Sequence, residues 1–365
     1  MISLGFAGCG DVAFRTYFPV LPSLEEQGLA RVVGCFDPRA PQAERAAALF
    51  DGARAYGALS DLLAHDGLDA VVNLTPAPVH REVNTAILEA GKHLFSEKPL
   101  AGSVAEAQDL IALAERQGRL LLCAPAVMVA RRFAWLRELI AAGRIGRPTL
   151  AVGQMANMGP AAWRGYTGDP AVFYGPSVGP LLDTGVYILH AITGLLGPAR
   201  RVLAMGGVAI PHRQVLIPGR EGETVEVAAN DQMLVQLDLG ETTFAQMLSS
   251  FAVPASAAPA LEIHGTAGSL SISLDTWYDA NGGTDIFQTD QSPLGLAGWL
   301  RNVVPPDPSP YTNLIGAGIP HFVGCLLGDE EPVPTAAHAT HVLEIIDAAT
   351  RSAAEGRAIA LATTF

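Results

Sequence analysis

The chain has 365 residues, of which 49% are apolar, and its formal net charge is −13. This length predicts two domains, because single hydrophobic cores stop growing at roughly 250–300 residues. The negative charge argues against nucleic-acid binding, which needs a basic surface. No apolar run approaches the roughly 20 residues that span a bilayer.

The N-terminus and the cysteines indicate the compartment. No basic segment precedes an apolar one at the N-terminus, as it would in a signal peptide. The four cysteines and nine histidines show no metal-ligand spacing. We therefore expect a cytoplasmic protein with buried thiols, no metal site and no membrane contact.

The first predicted strand, residues 2–7, runs directly into a glycine-rich turn. The turn reads Gly8-Cys9-Gly10-Asp11-Val12-Ala13, a G-x-G-x-x-A pattern. In a dinucleotide-binding unit, the first glycine permits the tight turn and the second lets the backbone approach a pyrophosphate. The alanine lets the following helix pack closely on the strand. We predict that Gly8, Gly10, Asp11 and Val12 hold a dinucleotide.

The second predicted strand, residues 30–36, ends in Asp37. The dinucleotide fold places a carboxylate at about this distance on the adenosine ribose, which favours NAD. Arg39 lies close enough to meet the 2′-phosphate of NADP instead, so NADP stays open. A turn residue before Pro38 is the structural alternative for Asp37.

Strand-like and helix-like segments alternate through the first third of the chain. Helices are predicted near 12–27, 41–50, 60–65 and 81–90, and further strands at 70–74, 93–96 and 120–123. This alternation predicts an α/β Rossmann-type domain, which we assign to residues 1–124. Ligands of parallel sheets bind beyond the carboxyl ends of the strands. We therefore expect the cofactor there, beside Thr75, Pro76, His80, Glu97 and Lys98.

Residues 125–365 are predicted to form an α+β domain for substrate binding and oligomerisation. A helix near 130–142 precedes a strand near 149–154, and short strands near 232–238, 242–251, 260–264 and 268–274 follow. They predict a large, open, mostly antiparallel sheet, with a hairpin turn at residues 265–268. A C-terminal helix near 336–356 packs against the body, with packing on the first domain as one option.

Taken together, these motifs resemble the glucose-fructose oxidoreductase / inositol dehydrogenase family, also called Gfo/Idh/MocA. The resemblance is carried by the glycine turn, by Thr75-Pro76 with His80, by Glu97-Lys98-Pro99 after a strand, and by Asp183-Thr-Gly-Val-Tyr187. It implies NAD or NADP as cofactor, a sugar or polyol substrate, and a homodimer or homotetramer. The commonest family pattern has a histidine four residues after the aspartate. Tyrosine at that position resembles the glucose-fructose oxidoreductase branch.

The resemblance also implies roles for individual residues. Lys98 matches the family lysine beside the nicotinamide, where an ammonium exchanges a proton with the reacting oxygen. Helical spacing puts Asp183 and Tyr187 on one face. The resemblance implies that Tyr187 shares the proton transfer, and we predict that Asp183 orients the pair. A core tyrosine is the structural alternative.

Further substrate contacts are predicted around these residues. His190 follows on the same helix, and an aromatic and polar loop contributes Trp163, Arg164 and Tyr174. Aromatic faces and side-chain donors of this kind commonly line sugar sites. Packing at the domain interface is the alternative role for the three loop residues.

The predicted activity is therefore NAD(P)-dependent interconversion of an alcohol and a carbonyl on a sugar, polyol or sugar derivative. Two alternatives stay open. One is a non-catalytic NAD(P)-binding regulatory protein on the same fold. The other is a lyase that uses transient oxidation.

Overall fold

In the computed structural model, which describes residues 1–176, 178–289 and 298–365, the chain divides into two units. The first comprises residues 1–129, 311–341 and 365, and the second comprises residues 130–310 and 342–364. The domain limits proposed from the sequence, 1–124 and 125–365, stay a prediction.

The first part of the chain alternates strands and helices in the following order: β1 (Ile2–Ala7), α1 (Leu21–Glu26), β2 (Ala30–Phe36), α2 (Ala40–Ala47), β3 (Arg54–Tyr56), α3 (Leu59–Leu63), β4 (Ala70–Asn73), α4 (His80–Glu89), β5 (His93–Ser96), α5 (Val104–Gln117) and β6 (Leu121–Cys123). The rest is rich in strands: α6 (Arg131–Ala141), β7 (Pro148–Ala156), α7 (Val186–Leu196), β8 (Arg201–Gly207), β9 (His212–Gln214), β10 (Thr224–Glu226), β11 (Gln232–Gly240), β12 (Thr243–Ser250), β13 (Leu261–Gly265), β14 (Gly268–Ile272), β15 (Thr284–Gln288), β16 (Gly298–Val303), α8 (Gly318–Leu327), α9 (Ala336–Glu355) and β17 (Ile359–Ala360).

The first unit contains a parallel sheet in the order β3-β2-β1-β4-β5-β6. This is the doubly wound order of a Rossmann fold, and it confirms the predicted fold class. Leu4, Phe6, Val72 and Phe95 are buried in its core, together with Phe322 of α8. Strands covered on both faces read as continuous apolar runs, which is why the sequence pattern was informative.

The first predicted helix differs from expectation. Residues 13–17 form a π-helical turn and residues 18–20 a 3-10 turn, and α1 begins only at Leu21. Pro19 and Pro22 lack the N–H that a regular helix needs, so one continuous helix over residues 12–27 is wrong. The irregular turns still bury Phe18 edge-on against Phe6, with ring centroids 5.2 Å apart.

The second unit contains a sheet whose described strands run in the order β16-β15-β14-β13-β7-β12-β11-β8-β17. Its pairs are antiparallel except β7 with β12, which is parallel. The mostly antiparallel sheet and the hairpin between β13 and β14 are confirmed, whereas the parallel pair was not predicted. Helix α7 packs on β7, where a Cβ on Gly153 would lie 2.5 Å from Ile188 Cγ2. The predicted C-terminal helix is present as α9.

Across the described ranges, no helix is both long enough and apolar enough for a membrane span.

Candidate functional site

The turn after β1 lies at the carboxyl edge of the parallel sheet. Gly8 has a φ of +93°, and a Cβ on it would lie 2.6 Å from the backbone C and O of Leu74. Both the left-handed conformation and the close approach therefore require glycine. A Cβ on Gly10 would meet nothing within 4 Å, so this backbone faces open space. Ala13 is fully buried.

Asp37, at the end of β2, is joined to this turn. Its Oδ2 accepts the Cys9 N–H at 2.9 Å, and its Oδ1 accepts the Arg39 N–H at 2.9 Å and Nε at 3.2 Å. Burial opposes ionisation of the carboxyl, but the hydrogen bonds from Arg39 and Cys9 outweigh it and lower the pKa of Asp37. An anionic Asp37 and the exposed Arg39 guanidinium therefore stand side by side.

A buried amide network connects the ends of β4 and β5. Asn73 Oδ1 accepts the Thr75 N–H at 3.0 Å and hydroxyl at 2.6 Å, and Asn73 Nδ2 donates to Asn84 Oδ1 at 2.8 Å. Asn84 Nδ2 donates in turn to Ser96 Oγ and Leu100 O, each at 3.0 Å. Sequence reasoning missed both asparagines. Two sequence features could have pointed to them. Asn73 ends an apolar strand, and Asn84 lies four residues after His80 on the same helix face.

His80 holds two loops of this edge together. It is 1% exposed, with Nε2 2.7 Å from Thr75 O and Nδ1 2.6 Å from Pro99 O. Each ring nitrogen therefore lies within hydrogen-bond distance of a backbone carbonyl oxygen. The ring thus connects the Thr75 and Pro99 loops, and its predicted contact with the cofactor stays a prediction.

Glu97 anchors the backbone of Lys98. Its buried carboxylate accepts the Tyr17 hydroxyl at 2.6 Å and the Lys98 N–H at 2.8 Å, and the Lys98–Pro99 peptide bond is cis. Sequence reasoning placed Glu97 beside the cofactor and missed Tyr17, which lies 80 residues away in the chain. No local pattern links the two residues.

The thiols near this edge are parts of the core. Burial, and then the charge of Glu97, raise the pKa of the Cys123 thiol. A hydrogen bond with Cys35, together with burial, raises the pKa of Cys9. Protonated buried thiols are poor nucleophiles, and the prediction of buried thiols is confirmed for these three cysteines.

In the second unit, Asp183 lies in a π-helical turn, Leu181–Gly185, that continues directly into α7 with Tyr187 and His190. The sequence predicted regular helix here, and π turns occur often at functional sites. Gly185 lets this turn approach β12, because a Cβ would lie 2.7 Å from Ser249 Oγ. Tyr187 is 6% exposed, with its ring 5.8 Å from that of Tyr278. His190 is 1% exposed.

The predicted loop residues divide into two groups. Trp163 is 42% exposed and stacks on Tyr166 with centroids 5.6 Å apart, and Arg164 is exposed. Tyr174 is buried against Phe251, its hydroxyl accepts the Ala161 N–H at 3.1 Å, and burial raises its pKa. Tyr174 therefore packs inside the second unit, and its predicted contact with the substrate stays a prediction. Trp163 and Arg164 present surfaces that a ligand can contact.

The described part of the chain contains no cluster of three or more His, Cys, Asp or Glu side chains that could hold a metal ion.

Two family models match the chain. Residues 2–124 match GFO_IDH_MocA, described as an oxidoreductase family with an NAD-binding Rossmann fold, and residues 133–271 match the GFO/IDH/MocA C-terminal domain. The two matches lie in succession along the chain.

Among curated proteins, a dTDP-3,4-didehydro-2,6-dideoxy-alpha-D-glucose 3-reductase of Actinomadura kijaniata is 37% identical over 33% of this chain and 35% of its own length. The scyllo-inositol 2-dehydrogenase (NADP(+)) IolU of Bacillus subtilis is 29% identical over 73% of this chain and 74% of its own. A second 3-reductase of the same name, from Streptomyces violaceoruber, is 30% identical over 55% of this chain and 56% of its own length. The match therefore spans about a third of one of these two 3-reductases and about half of the other.

Solved structures resemble the fold over its whole length. Levoglucosan dehydrogenase in complex with NADH and L-sorbose has a TM-score of 0.84 at 19% identity, covering 100% of this chain and 99% of that one. The WlbA dehydrogenase of Bordetella pertussis in complex with NADH and UDP-GlcNAcA has a TM-score of 0.77 at 20% identity, covering 99% and 98%. At these identities the likeness shows the fold alone.

Proposed function

The chain belongs to the Gfo/Idh/MocA oxidoreductase family, and we propose that it transfers a hydride between NAD(P) and a sugar, polyol or sugar derivative, interconverting an alcohol and a carbonyl. The observation that carries the proposal is the carboxyl edge of the parallel sheet. There Asp37 is hydrogen-bonded to the glycine turn, and Glu97 fixes the backbone of Lys98.

The residues at this edge fit a dinucleotide. The open space beside Gly10 would admit a pyrophosphate to the backbone, and the ionised Asp37 would accept a ribose hydroxyl. Thr75 and Pro76 would line the nicotinamide end, with His80 holding their loop from behind. When bound, the nicotinamide supplies the hydride donor or acceptor.

Asp37 favours NAD over NADP in this proposal. A 2′-phosphate would bring negative charge next to a buried carboxylate that already accepts three hydrogen bonds. Arg39 offsets part of that repulsion, so NADP would bind more weakly rather than not at all.

Lys98 and Tyr187 handle the proton in the proposed reaction. The Lys98 ammonium donates to the substrate oxygen and lowers the cost of the negative charge that develops there. Tyr187 donates or accepts the proton that travels with the hydride, and Asp183, one turn earlier, orients the pair. Trp163, Arg164 and His190 are the proposed contacts to substrate hydroxyls.

The substrate class rests on the relatives, whose names include a sugar reductase and an inositol dehydrogenase. Polyhydroxylated substrates need several side-chain donors around one apolar face. An exposed stacked Trp163 and the neighbouring Arg164 provide groups of this kind.

We also infer that the protein forms a homodimer or homotetramer through the large sheet. One face of its central strands carries the exposed apolar side chains Leu150, Leu203, Met205, Leu234 and Phe244. A sheet face with several exposed apolar side chains is typical of an interaction surface. Met205→Glu should therefore lower the mass measured by light scattering.

The activity is tested by following absorbance at 340 nm with NAD+ or NADP+ across a panel of sugars and polyols, and with the reduced cofactors across the ketoses. Lys98→Met and Tyr187→Phe should each lower turnover by about 10²-fold or more. Arg116→Met, at an exposed site on α5, is the matched control. NADH binding without turnover of any substrate would favour the regulatory alternative. Product formation without net change of the cofactor would favour the lyase.

A further inference from the structure

A second polar pocket lies at the opposite edge of the parallel sheet, where β1, β4 and β5 begin. It is a cavity of about 320 Å³ whose lining includes Lys92, His93, Arg119 and Asp69. Because all strands of this sheet run parallel, the amino edge is remote from the carboxyl edge that carries Gly8 and Lys98. The pocket is therefore separate from the proposed dinucleotide site.

The hydrogen bonds of His93 define which ring nitrogen donates. The Leu120 N–H donates to Nδ1 at 2.9 Å, so Nδ1 carries no proton. Burial, and then the charge of Arg119, lower the pKa of His93, although Asp69 acts in the opposite direction. The ring is therefore neutral near pH 7, and its proton resides on Nε2.

Two donors consequently converge in the pocket. Arg119 Nη1 lies 3.4 Å from His93 Nε2. A guanidinium only donates, and this Nε2 also donates, so the two groups cannot satisfy each other. A single acceptor oxygen between them would accept from both.

Lys92 adds a third donor to the same lining. Its ammonium donates to Leu68 O at 2.9 Å, which leaves two of its three hydrogens for other acceptors. The chain has 23 lysine and arginine residues, and only Lys92 and Lys98 are lysines. Asp69 is the single carboxylate in the lining, and its Oδ2 already accepts the Ser3 N–H at 2.8 Å. Two cations thus face one carboxylate in a chain of net charge −13.

We propose that this pocket binds a phosphoryl group, held by Lys92, Arg119 and His93 Nε2, either as inorganic phosphate or as part of a small phosphorylated metabolite. Arginine and lysine donors bind phosphate through charge-assisted hydrogen bonds. The volume lies near the lower limit of small-molecule pockets, roughly 300 Å³, which leaves room for more than a bare ion. The binding site does not depend on nicotinamide chemistry.

Amine footprinting tests this proposal, because the chain has two lysine side chains to label. The full-length protein is acetylated briefly in the presence of inorganic phosphate, of glucose 6-phosphate, or of sodium chloride at equal ionic strength, and labelling of each lysine is measured by mass spectrometry. With a Kd on the order of 1 mM, about 5 mM ligand would leave roughly one-sixth of the sites empty and slow Lys92 labelling about sixfold. Sodium chloride should not protect Lys92.

The variants separate a specific site from general screening. Arg119→Gln should raise the Kd roughly tenfold, because it removes a charge-assisted hydrogen bond, so protection of Lys92 at about 5 mM ligand should fall from about sixfold to about 1.5-fold. Arg116→Gln, at an exposed position outside the pocket lining, should leave protection unchanged. Protection by inorganic phosphate would identify a phosphate site, and protection by glucose 6-phosphate alone would identify a metabolite site. Equal protection by chloride, equal effects of the two arginine variants, or no protection by either phosphate would overturn the proposal.

A further sample with NADH tests the proposed function separately. NADH should protect Lys98, so failure of the proposed function would be seen at a different residue.

Discussion

Tyr17→Phe removes one hydroxyl from the buried network that fixes the backbone of Lys98. The hydroxyl donates to Glu97 Oε1 at 2.6 Å, inside the core of the first unit. A hydrogen bond to a charged group contributes about 1.5–3 kcal/mol to stability. Without the hydroxyl, the buried carboxylate lacks one of its donors. We therefore expect the free energy of unfolding to fall by about 1.5–3 kcal/mol.

Tyr56→Phe is the matched control. Its hydroxyl also makes a 2.6 Å hydrogen bond, but to His65 Nδ1 at a partly buried site. A hydrogen bond between neutral groups is worth about 0.5–1.5 kcal/mol, so the control should lose less. Urea unfolding of both variants provides the comparison.

A double-mutant cycle isolates the pair itself. Tyr17→Phe, Glu97→Gln and the double variant should give a coupling energy of about 1 kcal/mol or more, because the two groups are in direct contact. Turnover should fall in both single variants, since the pair fixes the backbone of Lys98. Additive effects within about 0.3 kcal/mol would refute the reasoning.

Three further predictions concern charge. Asp37→Ser should change the ratio of the NADH and NADPH dissociation constants roughly tenfold to hundredfold in favour of NADPH, because it removes a negative charge beside the position of the 2′-phosphate. Competition titrations measure this ratio. Burial, and then the charge of a neighbouring histidine, lower the pKa of His338 to about 3. The unfolded chain binds this proton below pH ~6.5 and the folded chain does not, so His338→Asn should reduce the loss of stability as pH falls from 6.5 towards 4. Asp231→Asn should lower the free energy of unfolding by about 3–5 kcal/mol, because it leaves Arg213 buried without its carboxylate partner at 2.6 Å. Asp347→Asn, in an exposed ion pair, should lower it by less than about 1 kcal/mol, and urea unfolding measures both.

The sequence indicated the parallel sheet because buried strands and glycine turns leave local patterns. Gly8 and Asp37 follow their strands directly, so their shared edge could be predicted from strand order alone. The break in the first helix could have been predicted from Pro19 and Pro22, whose effect is local.

Other features depend on contacts between distant segments. The Tyr17–Glu97 bond and the Asn73–Asn84 pair join residues from separate elements, and no spacing rule predicts them. The parallel pairing of β7 with β12 depends on the order in which strands assemble across the whole sheet. The π turn around Asp183 was not predicted either, and its Gly185 lies against Ser249, a contact between distant segments.

The central claim, dinucleotide binding at the glycine turn, is tested most directly by fluorescence titration of the wild type, Gly10→Ala and Gly207→Ala with NADH. A Cβ at either glycine meets nothing within 4 Å, so both variants should unfold at the wild-type urea concentration. We predict that Gly10→Ala weakens NADH binding by about tenfold or more, because the added methyl group occupies space needed by the pyrophosphate. Gly207→Ala should bind as the wild type does. Equal NADH affinity in all three proteins, or no binding of NADH or NADPH by the wild type, would contradict the account.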